Sequence, residues 1–372
     1  MLIGVPKEIK NNEYRVGLTP AGVRELKLHG HSVIVETHAG HGIGLDNEHY
    51  ERVGAEIVET AAEVFERADL VVKVKEPQAV ECRMLREGQT LFTYLHLAPD
   101  PEQTRLLIES GTTAIAYETV TDRRGGLPLL RPMSEVAGRM SIQAGAYCLE
   151  RPHGGNGTLL GGVPGVAPGK VVVIGGGVVG VNAARMAMGM GADVVVMDRS
   201  TDKLVELDGL YGPLMKTIYS TVDSIDEYVS RADLVIGAVL VPGAAAPKLV
   251  RKDQLAHMKR GAVVVDVAID QGGCFETSRA TTHQDPTYVI DEVVHYCVAN
   301  MPGAVARTST FALTNATLPF VLQLADHGPK EALSRDPHLQ AGLNIHRGKV
   351  TYEAVARDLG YDYVAPEQAF GG

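Results

Sequence analysis

The sequence feature with the most specific chemistry is a glycine turn at residues 175–180, which fits the pattern G-x-G-x-x-G. It follows the apolar run at 171–174 and precedes a helical pattern. Gly175 would permit a tight turn, Gly177 would let a pyrophosphate approach the backbone, and Gly180 would let helix and strand pack closely. Unpaired N–H groups at the helix N-terminus would then face the phosphates of a dinucleotide.

A carboxylate at the end of the next predicted strand fits the same ligand. Asp198 lies 18 residues after Gly180, where an acidic side chain can accept hydrogen bonds from ribose hydroxyls. Asp198 would repel a 2′-phosphate, which favours NAD over NADP, although the neighbouring Arg199 could pair with that phosphate. The structural alternative is that the glycines form a plain turn and Asp198 caps a surface segment.

Polar side chains also follow predicted strands in the first third of the chain. Arg15 follows the first strand, Lys75 lies at the end of the strand that begins at residue 70, and His96 closes the run at 91–95. Ligands of open α/β sheets bind outside the carboxyl ends of strands. An Arg fork for a carboxylate, a Lys point charge and a His that titrates near neutral pH together predict an anion-and-carbonyl site. Each of them alone could equally be a solvated strand-end residue.

Two positions in the second half have a functional and a structural interpretation. Asp270 follows the strand predicted at 262–267 and precedes Gly272 and Gly273. It either faces a ligand cleft or forms an Asx turn with the glycines. The segment at 300–303, Asn-Met-Pro-Gly, is either a plain loop or a segment that closes over a nicotinamide.

Short β-branched runs alternate with helical patterns along the chain, which predicts α/β layers with parallel sheets. Lys73 and Lys75 lie two apart on one predicted strand and would share a face. The tail after Asn300 begins no further strand-helix series and is expected to pack on the first half. Strands are predicted at 2–5, 32–36, 70–74, 91–95, 113–117, 171–174, 194–197, 234–238 and 262–267. Helices are predicted after Thr19-Pro20 and at 61–67, 101–110, 134–150, 179–190, 225–231, 309–327 and 352–359, with a Gly/Pro-rich loop at 154–169.

Two internal echoes indicate two related halves. The hexapeptide at 67–72, Arg-Ala-Asp-Leu-Val-Val, returns at 231–236 as Arg-Ala-Asp-Leu-Val-Ile, and the segment at 30–36 resembles 191–197. Such short matches could also arise by chance. The predicted fold class is α/β, with two doubly wound Rossmann-like domains. Residues 1–130 and 308–372 would form a discontinuous substrate and catalytic domain, into which an NAD-binding Rossmann domain at 131–307 is inserted.

Composition narrows the class of protein. The chain has 372 residues, 45% of them hydrophobic, 22% charged, and a net charge of −10. Acidic charge argues against nucleic acid and anionic membrane as partners. The spacing of the four cysteines fits no zinc or redox motif and fits free thiols in a reducing compartment. The N-terminus lacks the basic-then-apolar pattern of a secretory signal, so we expect a soluble cytoplasmic protein.

The residues above, with several longer motifs, closely resemble the NAD-dependent L-alanine dehydrogenases, a family that also includes the NAD-binding part of proton-translocating transhydrogenase. The resemblance extends over essentially the whole chain. It rests on the motifs at 5–16, 74–77, 92–98, 132–139, 175–180, 237–244, 267–273 and 300–302. In the motif at 237–244, Gly237 and Gly243 flank Val239.

The resemblance implies reversible oxidative deamination of L-alanine to pyruvate and ammonia, with NAD as cofactor. It assigns Arg15 and Lys75 to the carboxylate and carbonyl of the substrate, and it places Met301 beside the substrate. His96 and Asp270 would be the two acid/base groups, on separate domains that complete the site when they close. The cofactor site implied by the resemblance contains Ser134, Gly175, Gly177, Val178, Val179, Gly180, Asp198, Lys203, Ser220, Val239, Leu240, Val267, Ile269, Asp270, Val298, Asn300 and Met301.

The resemblance also implies a homohexamer, and the long helix at 309–327 could serve subunit packing. Some relatives carry a Glu and a His four apart on this helix, near a divalent ion. The corresponding residues here are Gln323 and His327, and because a neutral amide is a poor ligand for hard cations, no metal is predicted. The alternatives are a transhydrogenase subunit, which needs no set of Arg15, Lys75, His96 and Asp270, and a non-catalytic NAD-binding protein.

Overall fold

The computed structural model of the chain describes residues 1–240 and 246–370. Gly243 and the rest of the 237–244 motif from residue 241 onward lie outside the described residues. The chain forms two compact units. Unit 1 consists of Met1–Met133 and Val305–Gly372, and unit 2 is Ser134–Ala304.

The elements alternate along the chain as the sequence pattern predicts. Strands within the described residues are β1 Leu2–Val5, β2 Ser32–Glu36, β3 Glu56–Val58, β4 Leu70–Val72, β5 Thr90–Thr93, β6 Thr113–Ala116, β7 Lys170–Ile174, β8 Asp193–Asp198, β9 Lys216–Tyr219, β10 Leu234–Gly237, β11 Val263–Asp266, β12 Thr287–Ile290, β13 Val293–Tyr296, β14 Leu343–His346 and β15 Lys349–Val350. Helices in the same part of the chain are α1 Pro20–Leu28, α2 Asn47–Glu51, α3 Ala61–Arg67, α4 Ala79–Cys82, α5 Pro101–Ser110, α6 Arg131–Cys148, α7 Val178–Gly189, α8 Thr201–Tyr211, α9 Val222–Arg231, α10 Lys252–Leu255, α11 Ala306–Arg335, α12 Pro337–Gln340, α13 Glu353–Leu359 and α14 Pro366–Ala369.

The two sheets share the doubly wound order of their first five strands. In unit 1 the order is β15-β14-β6-β5-β4-β1-β2-β3, and in unit 2 it is β12-β13-β11-β10-β7-β8-β9. Numbered within each unit, both sheets contain the order 3-2-1-4-5 of Rossmann folds. Unit 1 continues with its sixth strand, β6, whereas unit 2 continues with its seventh, β13, and then its sixth, β12. Pairing is parallel except where β14 meets β6 and β15 and where β12 meets β13. The predicted fold class, α/β with two Rossmann-like domains, is confirmed.

The tail belongs to unit 1 and contains two strands that the sequence analysis did not predict. Strands β14 and β15 extend the sheet of unit 1, with β14 antiparallel to β6. These strands are short and contain both polar and apolar residues, so the sequence has no apolar run from which they could be predicted. The helix predicted at 309–327 lies within α11, where Gly328 has non-helical torsion angles of φ 74° and ψ 159°.

The sheet of unit 2 is buried on both faces, which explains its nearly continuous β-branched strands. Successive residues of β7 alternate between two core clusters, with Val171 and Val173 in one and Val172 and Ile174 in the other. Residues of β8, β10 and β11 alternate in the same way. Helices therefore cover both sides of the sheet and leave its strand ends to present functional groups.

The sequence echo at 67–72 and 231–236 marks equivalent places in the two units. Asp69 precedes β4 and its carboxylate accepts the N–H of Leu2 at 2.8 Å. Asp233 precedes β10 and accepts the N–H of Lys170 at 2.9 Å. Each aspartate thus holds the start of the first strand of its unit, and the echo reflects a repeated structural device.

No helix within residues 1–240 and 246–370 is long and apolar enough to cross a membrane.

Candidate active site

The glycine turn of unit 2 has the geometry that a pyrophosphate requires. Gly175 has a φ of 107°, a conformation that favours glycine. A Cβ at Gly180 would lie 1.8 Å from the carbonyl oxygen of Gly175, so only glycine lets α7 approach β7 this closely. A Cβ at Gly177, in contrast, would meet no atom within 4 Å. The turn therefore leaves open space in front of the N-terminus of α7, where the N–H groups of a helix bind phosphate.

Asp198 lies beside this turn at the end of β8. Its carboxylate accepts the backbone N–H of Gly176 at 2.6 Å and the N–H of Ser200 at 2.8 Å. These two bonds fix its orientation, as a ribose-binding carboxylate requires. Its backbone carbonyl accepts the N–H of Ser220 at 2.9 Å, which brings the buried Ser220 to the same sheet edge.

Among the other predicted cofactor residues of unit 2, Lys203 and Val239 lie beside the glycine turn. Lys203 packs its stem near Gly176, and its ammonium pairs with Glu206. Val239 lies on the other side, because a Cβ at Gly175 would be 2.9 Å from its Cγ2. Exposure differs among the rest: Val178, Leu240 and Asp270 are exposed, Ser134, Val267 and Asn300 are half-buried, and Val179, Ile269, Val298 and Met301 are buried.

Helix α6 supports the glycine turn from a neighbouring position in unit 2. A Cβ at Gly138 would lie 2.2 Å from the carbonyl oxygen of Val179, so α6 and the first turn of α7 are in close backbone contact. Asn182 donates to the carbonyl of Val178 at 2.9 Å and accepts from Arg139 at 3.0 Å. These contacts hold the helix N-terminus in place.

Asp270 lies in a 3-10 turn, Ile269–Gln271, that a buried carboxylate organises. Asp266, at the end of β11, accepts backbone N–H groups from Ala268 at 3.1 Å and Cys274 at 2.7 Å. Burial raises the pKa of the Asp266 carboxyl, while its hydrogen bond from Ser278 acts in the opposite direction. Sequence reasoning gave no role to Asp266, although a charged residue inside an apolar run signals a compensated site.

Asn300 and Met301 follow β13. Asn300 has a φ of 63°, and its carbonyl accepts the N–H of Gly303 at 2.9 Å and contacts the His283 ring at 3.0 Å. Met301 is only 3% exposed and packs in a core cluster of unit 2 together with Val298. A non-glycine residue held at positive φ is a common feature of ligand-binding segments.

In unit 1, Arg15 is fixed by a bidentate ion pair that the sequence did not reveal. Its Nε and Nη2 donate to the two carboxylate oxygens of Glu13 at 2.7 and 2.6 Å, and Nη1 contacts the sulfur of Met133 at 3.1 Å. Arg15 is 2% exposed. Burial lowers the pKa of Arg15, but its bonds to Glu13 outweigh this and raise it, so the guanidinium stays charged.

The prediction that Lys73 and Lys75 share a strand face is wrong. Strand β4 ends at Val72, and the Lys73 ammonium is fully buried between Glu8 at 3.2 Å and Glu81 at 2.6 Å. A buried ammonium requires such partners, so Lys73 is a structural cation. Lys75 is half-buried, and its backbone N–H donates to Glu8 at 3.2 Å.

The ammonium of Lys75 remains near a carboxylate of its own segment. Its Nζ lies 3.9 Å from Glu76, whose other oxygen pairs with Lys10. Burial raises the pKa of Glu76, yet the charges of Lys75 and Lys10 outweigh it and lower the pKa overall. Glu76 is therefore an anion that keeps two ammonium groups at this end of β4.

His96 follows β5 in a left-handed conformation, with a φ of 48°. Its backbone N–H donates to Glu118 at 2.6 Å, and Nδ1 of its ring lies 3.9 Å from the same carboxylate. The ring stacks on Tyr94, with centroids 5.8 Å apart and planes inclined by 9°. Its side chain is 44% exposed, so the ring is accessible to a ligand. Glu118 carried no local sequence signal.

Gln323 and His327, the residues compared with the metal ligands of relatives, have protein partners. Gln323 contacts the carbonyl of Ala332 at 3.5 Å, and the ring of His327 lies 3.2 Å from Arg335. Within residues 1–240 and 246–370, no group of three or more His, Cys, Asp or Glu side chains could hold a metal ion.

Two doubly wound units, one of them with a glycine turn and a strand-end carboxylate, define a dinucleotide-binding α/β protein. Residues 4–137 match the family described as "Alanine dehydrogenase/PNT, N-terminal domain", and residues 141–353 match "Alanine dehydrogenase/PNT, C-terminal domain". The chain therefore belongs to the alanine dehydrogenase/PNT family.

Individual relatives confirm the resemblance predicted from the motifs. The chain is 62% identical to an alanine dehydrogenase of Halomonas elongata over 371 residues, covering 100% of both chains. It is similar to a solved structure of an L-alanine dehydrogenase, with a TM-score of 0.94, 51% identity, and coverage of 97% of this chain and 99% of that one. A transhydrogenase structure from Sinorhizobium meliloti has a TM-score of 0.82 and 26% identity, covering 95% and 100% of the two chains.

Proposed function

We propose that the chain catalyses the reversible oxidative deamination of L-alanine: alanine, NAD⁺ and water give pyruvate, ammonium, NADH and a proton. The observation that carries this proposal is the 62% identity to a curated alanine dehydrogenase over the full length of both chains. The glycine turn and the oriented carboxylate of Asp198 support NAD as the cofactor.

The residues proposed to hold NAD come from unit 2. Gly175, Gly177 and Gly180 would bring the backbone N–H groups of α7 to the pyrophosphate, and Asp198 would accept the ribose hydroxyls. When bound, NAD supplies the acceptor for the hydride that leaves the alanine Cα. Further contacts are assigned to Ser134, Val178, Val179, Lys203, Ser220, Val239, Leu240, Val267, Ile269, Asp270, Val298, Asn300 and Met301.

Arg15 and Lys75 are proposed to bind the substrate. The Arg15 guanidinium binds the carboxylate, and Glu13 fixes the plane in which it does so. Lys75 contacts the substrate carbonyl as a point charge, and Met301 lies beside the substrate. Because Arg15 is almost fully buried, its ion pair with the substrate carboxylate would form in a region of low dielectric constant, where the attraction between charges is strong.

His96 and Asp270 are proposed to transfer protons. After hydride loss, water must add to the substrate carbon and ammonia must leave, and both changes require a proton donor and acceptor. The His96 ring exchanges a proton with the substrate oxygen or nitrogen, while Glu118 holds its backbone. The Asp270 carboxylate serves as the second acid/base group.

One assay separates this proposal from the alternatives. Formation of NADH, followed by its absorbance with L-alanine and NAD⁺ at alkaline pH, is expected. A transhydrogenase subunit or a non-catalytic NAD-binding protein would bind NADH without alanine-dependent reduction of NAD⁺. Intact NADH binding with no such signal would refute the proposed reaction.

Two substitutions test the proton-transfer roles. His96→Ala and Asp270→Asn are expected to lower kcat by at least about 100-fold, the usual contribution of a positioned acid/base group. The affinity for NADH, measured by fluorescence titration, is expected to change less than about twofold in His96→Ala, because His96 is not among the residues assigned to NAD. Near-wild-type turnover in either variant would remove that residue from the mechanism.

We also propose that the protein is a homohexamer in the cytoplasm, without nucleic-acid or membrane partners. The net charge of −10 argues against nucleic-acid and anionic-membrane partners, and four free, buried thiols support a reducing compartment. Light scattering of the purified protein tests the hexamer, and a mass that stays below six chains across the concentration range would exclude it.

A further inference from the structure

Two charged residues outside the proposed reaction hold the segment 268–275, which contains Asp270 and is called the turn below. The first is Asp266, which is completely buried. Its Oδ2 accepts the N–H groups of Cys274 at 2.7 Å and Phe275 at 3.3 Å, together with the hydroxyl of Ser278. Its Oδ1 accepts the N–H of Ala268 at 3.1 Å. The chain therefore folds around one carboxylate from both sides of Asp270.

The second residue is Lys248, whose ammonium binds carbonyl groups of the same turn. Its Nζ donates to the carbonyls of Gly272, Gly273 at 3.1 Å and Phe275 at 3.3 Å. An ammonium has three N–H donors, so these three carbonyls can use all of them. Lys248 is exposed as a residue, yet its charge is directed onto the backbone.

The two residues have complementary chemistry. Asp266 accepts hydrogen bonds from backbone N–H groups of the turn, and Lys248 donates hydrogen bonds to its backbone carbonyl groups. Hydrogen bonds with one ionised partner are roughly twice as strong as neutral ones. At Gly273, a Cβ would lie 2.5 Å from Oδ2 of Asp266, so the backbone passes close to the buried carboxylate. The backbone of the turn is thus held by hydrogen bonds to two charged side chains, a carboxylate and an ammonium.

The same segment is tied to a residue of the proposed cofactor site. The Cys274 thiol lies 3.6 Å from the carbonyl of Val239, which it can reach as a donor. The backbone before Lys248 also pairs with the turn, since the N–H of Ala246 donates to Gln271 at 2.8 Å. Displacing the turn would therefore disturb Asp270 first and Val239 second.

We propose that Asp266 and Lys248 are positioning residues that together fix Asp270 for proton transfer. This inference rests on the proposed function, because the placement of Asp270 affects turnover only if Asp270 is an acid/base group. Lys248 is the better residue to test, since its side chain is exposed and its removal opens no core cavity.

The test compares Lys248→Met with Lys216→Met in the full-length protein. Lys216 is an exposed lysine of the same unit that pairs with Asp193. Lys248→Met is expected to lower kcat on the order of tenfold, because small displacements of a catalytic group are costly. The KM for alanine and the affinity for NADH are expected to stay within about twofold. Lys216→Met should leave all three unchanged.

Rescue separates positioning by charge from packing. Lys248→Arg keeps a cation with several N–H donors for the backbone carbonyls and is expected to restore at least about half of the wild-type kcat. Amide hydrogen exchange at residues 268–275 is expected to quicken in Lys248→Met and not in Lys216→Met. An unchanged kcat in Lys248→Met, or failure of Arg to restore activity lost by Met, overturns the inference.

Failure of this inference differs from failure of the proposed function. If Asp270→Asn retains turnover, the acid/base role of Asp270 is wrong. If Asp270→Asn is inactive while Lys248→Met keeps wild-type kcat, the acid/base role stands and the joint positioning role is wrong. Wild-type kcat in Ser278→Ala as well would show that Asp266 has no such role either. Ser278→Ala removes one donor to Asp266 and is a milder change than substitution of the buried carboxylate itself.

Discussion

Units 1 and 2 share the order of their first five strands but differ in the connection after their first strand. In unit 2, only residues 175–177, all glycine, separate β7 from α7. In unit 1, residues 6–19 separate β1 from α1 and carry Glu8, Glu13 and Arg15, all of them buried. A short glycine connection presents backbone N–H groups to a large anion. A long connection instead brings charged side chains into a small site.

The scaffold around the two connections is otherwise the same. In unit 2, the N–H of Gly176 donates to Asp198 at 2.6 Å. In unit 1, the N–H of Lys7 donates to Glu36 at 2.7 Å, at the end of β2. Both donors come two residues after the first strand, and both carboxylates end the second. The strand-end carboxylate is therefore a feature of the scaffold, and the connection decides whether a dinucleotide can reach it.

The largest expected effect follows from adding one methyl group to the glycine connection. Gly180→Ala would place Cβ 1.8 Å from the Gly175 carbonyl oxygen, so α7 must move away from β7. Overpacking of this kind costs about 3 kcal/mol, and we expect the affinity for NADH to fall roughly 100-fold in a fluorescence titration.

Gly189→Ala is the matched control in the same helix. A Cβ there would meet nothing within 4 Å, and alanine favours helix, so affinity should be unchanged and stability slightly higher. If Gly180→Ala bound NADH as tightly as Gly189→Ala does, the glycine turn would not be the pyrophosphate site.

The paired carboxylates offer a smaller and sharper test. Asp198→Asn is expected to weaken NADH binding about tenfold, because a charged acceptor for the ribose hydroxyls is lost. It should also narrow the preference for NADH over NADPH. Glu36→Gln, the equivalent change in unit 1, should alter NADH binding less than about twofold. Equal losses in both variants would show that the carboxylate supports the scaffold only.

The smallest effect concerns the repeated aspartates that begin the sheets. Asp233 is 5% exposed and also pairs with Lys259 at 2.7 Å, whereas Asp69 is exposed. Asp233→Asn should lower the free energy of unfolding by about 1 kcal/mol, and Asp69→Asn by less than about 0.5 kcal/mol. Urea denaturation of both variants measures the difference, and a larger loss in Asp69→Asn would contradict it.

The fold and the dinucleotide turn could be predicted because their causes are local in sequence. At position 180 only glycine fits, because a Cβ would lie 1.8 Å from the carbonyl oxygen of Gly175. Strands that are buried on both faces consist of β-branched residues and are therefore visible as apolar runs in the sequence. The equivalence of 67–72 and 231–236 also survived in sequence because Asp69 and Asp233 make the same backbone bond.

Contacts between distant segments could not be predicted. The pairing of Lys73 with Glu8 joins residues far apart in sequence, so the sequence placed this lysine on a strand face beside Lys75, although it is a structural cation. Glu118 reaches His96 from a different strand connection and left no pattern beside it. The role of Asp266 depends on Cys274 and Ser278, which only the closed turn brings to it.

The antiparallel strand β14 has a consequence for biosynthesis. It pairs with β6, so the sheet of unit 1 lacks β14 until residues 343–346 have left the ribosome. Unit 2 is encoded without interruption between residues 134 and 304. Domains generally fold as units during synthesis. The unit with the glycine turn can therefore complete its sheet before the last strands of the other unit have been synthesised.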